Sequence, residues 1–146
     1  MKIHHLLLPL AAALITGCSP SNSVIHNKTA TNIVLQADHS KINTIEIIDL
    51  HTSFLNDRND SLHNGSIVEI SGEVIAFALT KEGLYNVTLR KGDTTVICIF
   101  DDSISGNLGD NRSVRKSSEL TVQGQCRKSG LFSSSLFTLD GCRIVE

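Results

Sequence analysis

A mainly β fold, a small closed barrel preceded by one short amphipathic helix, is predicted by three features of the sequence. Apolar and polar residues alternate in five segments after residue 65. Turn signals such as Lys91-Gly92-Asp93 separate these segments at short intervals. One stretch before them spaces its apolar residues three or four apart, as a helix does.

The N-terminus has the pattern of an export signal that ends at a cysteine. The apolar run over 6–15 follows Lys2, and it is far shorter than the roughly 20 residues that a membrane-spanning helix needs. It ends in Leu14-Ile15-Thr16-Gly17-Cys18, which resembles the lipobox of bacterial lipoproteins. This likeness predicts a signal peptide over 1–17 and a diacylglyceryl group on Cys18. A plain signal peptide, or a buried N-terminal helix with a structural cysteine, remains the alternative.

A lipidated cysteine predicts attachment to the cell envelope through lipid alone. Two or three acyl chains such as palmitate anchor firmly, because each buried methylene contributes roughly 0.8 kcal/mol. In enterobacterial lipoproteins, a residue other than Asp after the cysteine usually accompanies export to the outer membrane, and Ser19 stands there. We therefore expect a protein held at the outer membrane and facing the periplasm.

Composition divides the remaining chain into a tether and one domain. Residues 18–41 are rich in Ser, Asn and Thr and show no sustained period, so they are predicted to be a flexible tether. Residues 42–146 are predicted to form a single domain with one core. The chain has 13 Lys and Arg against 15 Asp and Glu, a balance that makes nucleic acid an unlikely partner.

The first regular element of the domain is a helix. Asn43 and Glu46 have the spacing of a capping box, and Ile47, Leu50 and Phe54 then form an apolar stripe. Asn64-Gly65 is a turn signal that separates this helix from the strands.

Five strands follow, and their spacing favours a particular barrel. They are predicted in the segments SIVEISGEVIAFAL, LYNVTLR, TTVICIF, ELTVQGQC and SLFTLDGCRIVE. Gly72 in the middle of the first strand fits a sharp bend, and Asp140-Gly141 in the last fits a bulge. A long first strand, a hairpin, a longer excursion and a final hairpin are typical of the five-stranded OB-fold. A β-sandwich or an open α+β sheet is the competing architecture.

The segment 43–145 resembles a family of bacterial lipoproteins with an anticodon-binding-like OB-fold domain. The resemblance rests on the helix and on the motifs NGSIVEISGEV, VICIF, VQGQC and LDGCRI, in that order. The chain departs from the family in its bare Asn64-Gly65, where an aromatic-x-Gly-Lys turn is common. The resemblance implies the fold and the envelope compartment, and it implies no activity.

Three cysteines remain once Cys18 carries lipid. An oxidising periplasm favours one disulfide among Cys98, Cys126 and Cys142, and three pairings are possible. Cys126 and Cys142 lie on strands that are hairpin neighbours in an OB barrel, so we expect these two to pair. Cys98 lies in the most apolar strand and is expected to be a small core residue.

The sequence predicts neither catalysis nor a metal or other cofactor. The segment 101–106 imitates the start of a calcium loop, but position twelve, where a Glu is required, is Arg112. No Gly-x-Ser-x-Gly elbow frames a nucleophile. The histidines outside the leader are not at ligand spacing on one element. We therefore expect that the protein is not an enzyme.

A binding surface is what remains, and a basic loop is its best candidate. Arg112, Arg115 and Lys116 cluster in the long loop before the fourth strand, with Arg127 and Lys128 at the end of that strand. Ordinary surface charge is one interpretation, and an anionic partner is the other. We expect a binding or adaptor module for an envelope protein; the alternatives are a glycan or small anionic ligand and, less favoured, single-stranded nucleic acid.

Overall fold

The structure is a computed structural model that describes residues 20–56, 63–110, 112–130 and 135–146. It contains two α-helices and six strands: α1 (Asn22–Gln36), β1 (Asn43–Thr44), α2 (Ile47–Asn56), β2 (Ile67–Leu79), β3 (Tyr85–Lys91), β4 (Thr94–Phe100), β5 (Glu119–Lys128) and β6 (Phe137–Ile144). Short 3₁₀ turns cover His39–Lys41 and Asp102–Asn107. The signal peptide predicted over 1–17 and the lipidation site at Cys18 lie outside the described residues.

Strands β2 to β6 form a closed barrel. Their order is β2-β3-β4-β6-β5, and β5 pairs with β2 to complete the circle. All neighbours are antiparallel except β4 and β6, which are parallel, while β1 adds a short parallel edge to β2. This five-stranded barrel with a preceding helix is the OB-fold, so the predicted fold class is confirmed.

The long strand β2 serves both halves of the barrel because it bends at its middle. Its first half, through Glu73, pairs with β5, and its second half pairs with β3. At Gly72 an added Cβ would lie 2.8 Å from Ile47 Cδ1 and 2.9 Å from the carbonyl oxygen of Arg90. Only a glycine lets the helix and the neighbouring strand approach this closely. A bulge between Val74 and Ala76 then turns Phe77 toward the core.

Helix α2 packs against the barrel with the stripe that the sequence predicts. Ile47, Leu50 and Phe54 are buried, and the ring of Phe54 stacks on Phe137 with centroids 4.5 Å apart. The predicted cap at Asn43 is wrong. That residue belongs to β1, and the helix begins later, with the Leu50 N–H donating to the Glu46 carbonyl at 3.0 Å.

Helix α1 occupies most of the segment predicted to be a flexible tether, so that prediction is wrong for residues 22–36. The helix packs mainly against β6 and buries Asn27, Ala30 and Val34. It can lie this close because residue 141 is a glycine: a Cβ there would lie 2.2 Å from the Thr31 nitrogen. Within the described residues, no helix is long and apolar enough to cross a membrane.

Candidate binding surfaces

Three of the five Lys and Arg side chains on the barrel strands have carboxylate partners, whereas Lys128 and Arg143 form no ion pair with another described residue. Arg90 Nη2 lies 2.8 Å from Glu73 Oε2, and Lys91 Nζ lies 3.8 Å from Glu119 Oε1. Arg127, which the sequence groups with the basic loop, pairs with the buried carboxylate of Asp140. Arg127 therefore has a structural role, because its guanidinium compensates the buried negative charge of Asp140.

The predicted basic loop between the Asp102–Asn107 turn and β5 keeps its charges exposed. Arg112, Arg115 and Lys116 all face solvent, and none forms an ion pair with another described residue. All three predicted residues are therefore exposed on the loop before β5, and their role in binding stays a prediction.

This loop is held in place by its backbone. Val114 is fully buried, and its N–H donates to the Asn107 carbonyl at 2.8 Å. At the other end, Ser117 N–H donates to the Val74 carbonyl at 2.8 Å, and Val74 N–H donates to the Ser118 carbonyl at 2.9 Å. Ser117 takes a left-handed conformation, with φ of 64°, which non-glycine residues adopt rarely. These contacts therefore hold the backbone on both sides of Arg115 and Lys116.

The described aromatic side chains give little support for base stacking. Phe54, Phe100 and Phe137 are buried, and Phe77 and Tyr85 are partly buried against the core. Single-stranded nucleic acid is usually bound by exposed rings on which bases stack. None of the aromatic residues in the described part of the chain is fully exposed, and Phe132 lies outside it.

A groove that the sequence does not predict runs between α1 and the turn after β4. It has two neighbouring cavities of about 370 and 430 Å³, which share Thr31, Leu35 and Asp101. The smaller cavity is also lined by Asn27, Val24, Lys28, Asn32, Leu84 and Asp102. The larger extends past Gly141 and Cys142 toward the C-terminal end of β6. No signal in the sequence indicates this groove, because α1 itself has no helical stripe.

The predicted Cys126–Cys142 disulfide is not formed; Cys98, Cys126 and Cys142 are buried free thiols. The register explains the difference, because Cys126 lies opposite Leu139 and the bulge at Gly141 displaces Cys142 from the ladder. The Cys142 thiol instead presses on Gly124, where a Cβ would lie 2.7 Å from its Sγ. The predicted bulge is thereby confirmed.

Burial controls the chemistry of these thiols. It raises the pKa of the Cys126 thiol to about 12. Burial, together with contact with the Cys98 thiol, also raises the pKa of Cys142. Both thiols are therefore protonated and poorly nucleophilic near neutral pH. Within the described ranges, no cluster of three or more His, Cys, Asp or Glu side chains is placed to hold a metal ion.

Comparison with known proteins supports the fold. No known family model and no curated protein sequence matches the chain. Among solved structures, a "putative nucleic acid-binding lipoprotein" from Klebsiella pneumoniae is 20% identical, with a TM-score of 0.58 over 73% of this chain and 94% of that one. This likeness shows the OB-fold.

Two aminoacyl-tRNA synthetase structures match a smaller part of their own length. A "putative aspartyl-tRNA synthetase" from Leishmania major is 13% identical, with a TM-score of 0.49 over 75% of this chain. The asparaginyl-tRNA synthetase from Pyrococcus horikoshii is 11% identical, with a TM-score of 0.44 over 57% of this chain. The matches cover only 22% and 20% of those two chains.

Proposed function

We propose that this protein is an OB-fold lipoprotein of the bacterial envelope, anchored through lipid on Cys18, that acts as a non-catalytic binding or adaptor module. The lipobox-like ending at Gly17-Cys18 supports the anchor. The Klebsiella lipoprotein has the same fold along nearly its whole chain, which supports membership in the same family. Ser19 supports the outer membrane and a periplasm-facing domain.

One observation carries the binding role: three cations lie on one exposed loop, and none of them has a carboxylate partner among the described residues. Arg90, Lys91 and Arg127 have such partners, whereas Arg112, Arg115 and Lys116 have none among the described residues. Exposed charges of one sign steer and orient a partner of the opposite sign. We therefore infer an acidic surface of an envelope protein as the partner of this loop.

The anchor is tested by a Cys18→Ser variant of the full chain. We expect the wild type to partition into detergent and to show a mature mass that includes the acyl chains. The variant should remain in the aqueous phase and keep its leader. Equal partitioning and equal mature mass would refute lipidation at Cys18.

The basic loop is tested by charge reversal with a matched control. Arg115→Glu combined with Lys116→Glu changes the net charge as much as Lys41→Glu combined with Lys81→Glu, and all four residues are exposed. We expect crosslinked envelope proteins to be lost only from the loop variant, and adding Arg112→Glu should extend the loss. In the wild type, crosslinking of these envelope proteins should decrease as the salt concentration is raised.

The same two double variants separate the alternatives. Loss of retention on immobilised glycan or on single-stranded DNA, with the envelope protein partners unchanged, would favour those ligands. Equal loss in the loop variant and in the control would mean that net charge is responsible and would refute a specific loop site.

A further inference from the structure

We propose that the groove between α1 and the turn after β4 binds an extended peptide segment that carries a basic side chain. The groove is defined by Asn27, Thr31 and Leu35 on α1 and by Asp101 and Asp102 after β4. This site is separate from the basic loop and does not depend on the lipid anchor.

A buried amide with one unused donor points to a ligand. Asn27 is 2% exposed, and its Oδ1 accepts a hydrogen bond from the Gly141 N–H at 2.7 Å. Its Nδ2 has no partner among the described residues. Rotating the amide by 180° does not help, because the Gly141 N–H would then face an NH₂ group. Nδ2 is therefore the end that needs an acceptor.

Asn27 lines the smaller cavity, but its Nδ2 is covered in this structure, so an acceptor reaches this donor only when the peptide displaces the side chains that cover it. A buried polar group without a partner is costly, so a bound acceptor restores a favourable contact. A peptide carbonyl is such an acceptor, and it carries no net charge that the neighbouring carboxylates would repel. The donor thus selects a carbonyl over an anionic group.

The walls of the groove suit an extended chain. Val24, Leu35 and Leu84 supply apolar surface, and Leu35 is 57% exposed although it borders both cavities. Cavities of about 370 and 430 Å³ lie within the range of specific ligand sites, which is roughly 300–1,000 Å³. Because the two cavities adjoin at Thr31, Leu35 and Asp101, one extended peptide can contact both.

Charge favours a basic side chain on the peptide. Asp101 and Asp102 line the smaller cavity and form no ion pair with another described residue, although Asp101 Oδ1 accepts from the Ser103 N–H at 3.0 Å. Lys28 also lines this cavity, so two carboxylates face one ammonium. The larger cavity is lined by Arg143, Glu146 and the shared Asp101, so it also has one more carboxylate than cation. Negative charge is therefore in excess along the whole groove.

The test first selects peptides from a displayed library of random seven-residue sequences for binding to the full mature chain in detergent micelles. The affinity of the selected peptides is then measured by fluorescence anisotropy with synthetic, fluorescein-labelled copies. We expect the selected peptides to be enriched in Lys and Arg. Asn27→Asp keeps the acceptor for Gly141 and removes the donor, but its added negative charge favours basic side chains. Its effect is therefore measured with a version of the peptide whose Lys and Arg are replaced by Gln, and binding of that peptide should weaken about tenfold. Asp101→Asn combined with Asp102→Asn should weaken binding about fivefold or more and reduce its salt dependence.

A surface variant guards against misfolding. Leu35 is largely exposed, so Leu35→Arg should fold normally while placing a competing cation in the groove. We expect Leu35→Arg to abolish binding of the selected peptides. The double variant Arg115→Glu and Lys116→Glu should bind them with an affinity within about twofold of the wild type. Slow exchange of the Gly141 amide in Asn27→Asp would verify that α1 stays docked.

Three outcomes would overturn the proposal. The first is that selection yields no binding peptides, the second is that the peptides show no enrichment in basic residues, and the third is that they bind Asn27→Asp and Leu35→Arg as tightly as the wild type. Any of these would mean that the groove is not a site for a basic peptide. None would alter the prediction for the basic loop, because its variants are measured separately.

Discussion

Replacing Gly141 with alanine tests whether α1 is part of the domain. Gly141 has a φ of +61°, and a Cβ there would lie 2.2 Å from the nitrogen of Thr31 and 2.3 Å from the carbonyl carbon of Ala30. Both are backbone atoms, so no side-chain rotation relieves the clash. The helix must move away by about 1 Å or more to restore normal packing distances.

The cost follows from what α1 buries. Loss of the buried Val34 side chain from the interface costs roughly 1.5–3 kcal/mol. Loss of the Asn27–Gly141 hydrogen bond costs about 1 kcal/mol, and the left-handed conformation costs an alanine about 1–2 kcal/mol. We therefore expect Gly141→Ala to lower the free energy of unfolding by about 3.5–6 kcal/mol.

Gly92 provides a matched control. Its φ is +59°, but its Cβ would meet only Ile48 Cδ1 at an ordinary 3.8 Å. Gly92→Ala therefore carries the same backbone strain without the clash, and it should cost only about 1–2 kcal/mol.

Urea unfolding of the full chain gives the two free energies, and hydrogen exchange reports on α1. In Gly141→Ala the α1 amides should lose protection while those of β3 and β4 keep it. If the two variants are equally stable, or if the α1 amides remain protected, then α1 is not docked against β6 as described.

Three further predictions concern the core. Under reducing conditions the free energy of unfolding should fall as pH rises from 9 toward 12, because burial raises the pKa of Cys126 from 9.0 to about 12 and the unfolded thiol ionises first. Cys126→Ala should reduce this slope, and an unchanged slope would contradict the assignment. Arg127→Met should destabilise the protein by about 1–3 kcal/mol by leaving the Asp140 carboxylate unpaired, and adding Asp140→Asn should restore part of the loss; additive losses in a urea double-mutant cycle would refute the pairing. Phe54→Ala should cost about 3–5 kcal/mol in urea unfolding because the ring stacks on Phe137, and a loss below about 1 kcal/mol would show that α2 is not a core element.

The barrel could be predicted from the sequence because strand patterns are local. Val68, Ile70 and Val74 alternate with polar residues, and all three are buried. The roles of Gly72 and Gly141 can also be predicted, since a glycine inside a strand indicates a bend or a bulge. The basic loop can be predicted for the same reason, because its three cations lie within a segment of five residues.

Helix α1 could not be predicted because its buried face does not look apolar. That face consists of Asn27, Ala30 and Val34, whereas Ile25 and Leu35 are exposed. The reason for docking lies on β6, where Gly141 removes the steric barrier and its N–H satisfies Asn27. A contact between residues 114 positions apart leaves no local pattern, so the groove was missed with the helix.

The predicted Cys126–Cys142 disulfide is wrong because of the register between β5 and β6. The sequence indicates that β5 and β6 are neighbours, and this is confirmed. It does not show how the bulge at Gly141 shifts one strand against the other. A shift of this kind moves Cys142 away from Cys126 and places it over Gly124. Adjacent strands are therefore insufficient evidence for a disulfide, because the pairing depends on which residues lie opposite each other.

The docked helix also changes what the proposed anchor does. A flexible tether of about twenty residues would let the barrel lie some 25 Å from the bilayer. Between Cys18 and the start of α1 at Asn22, however, the chain can span at most about 14 Å in any conformation. If lipid holds Cys18, α1 therefore fixes the barrel close to the membrane. The interface at Gly141 then sets both the stability of the domain and its reach, because releasing α1 would return about fifteen residues to the tether.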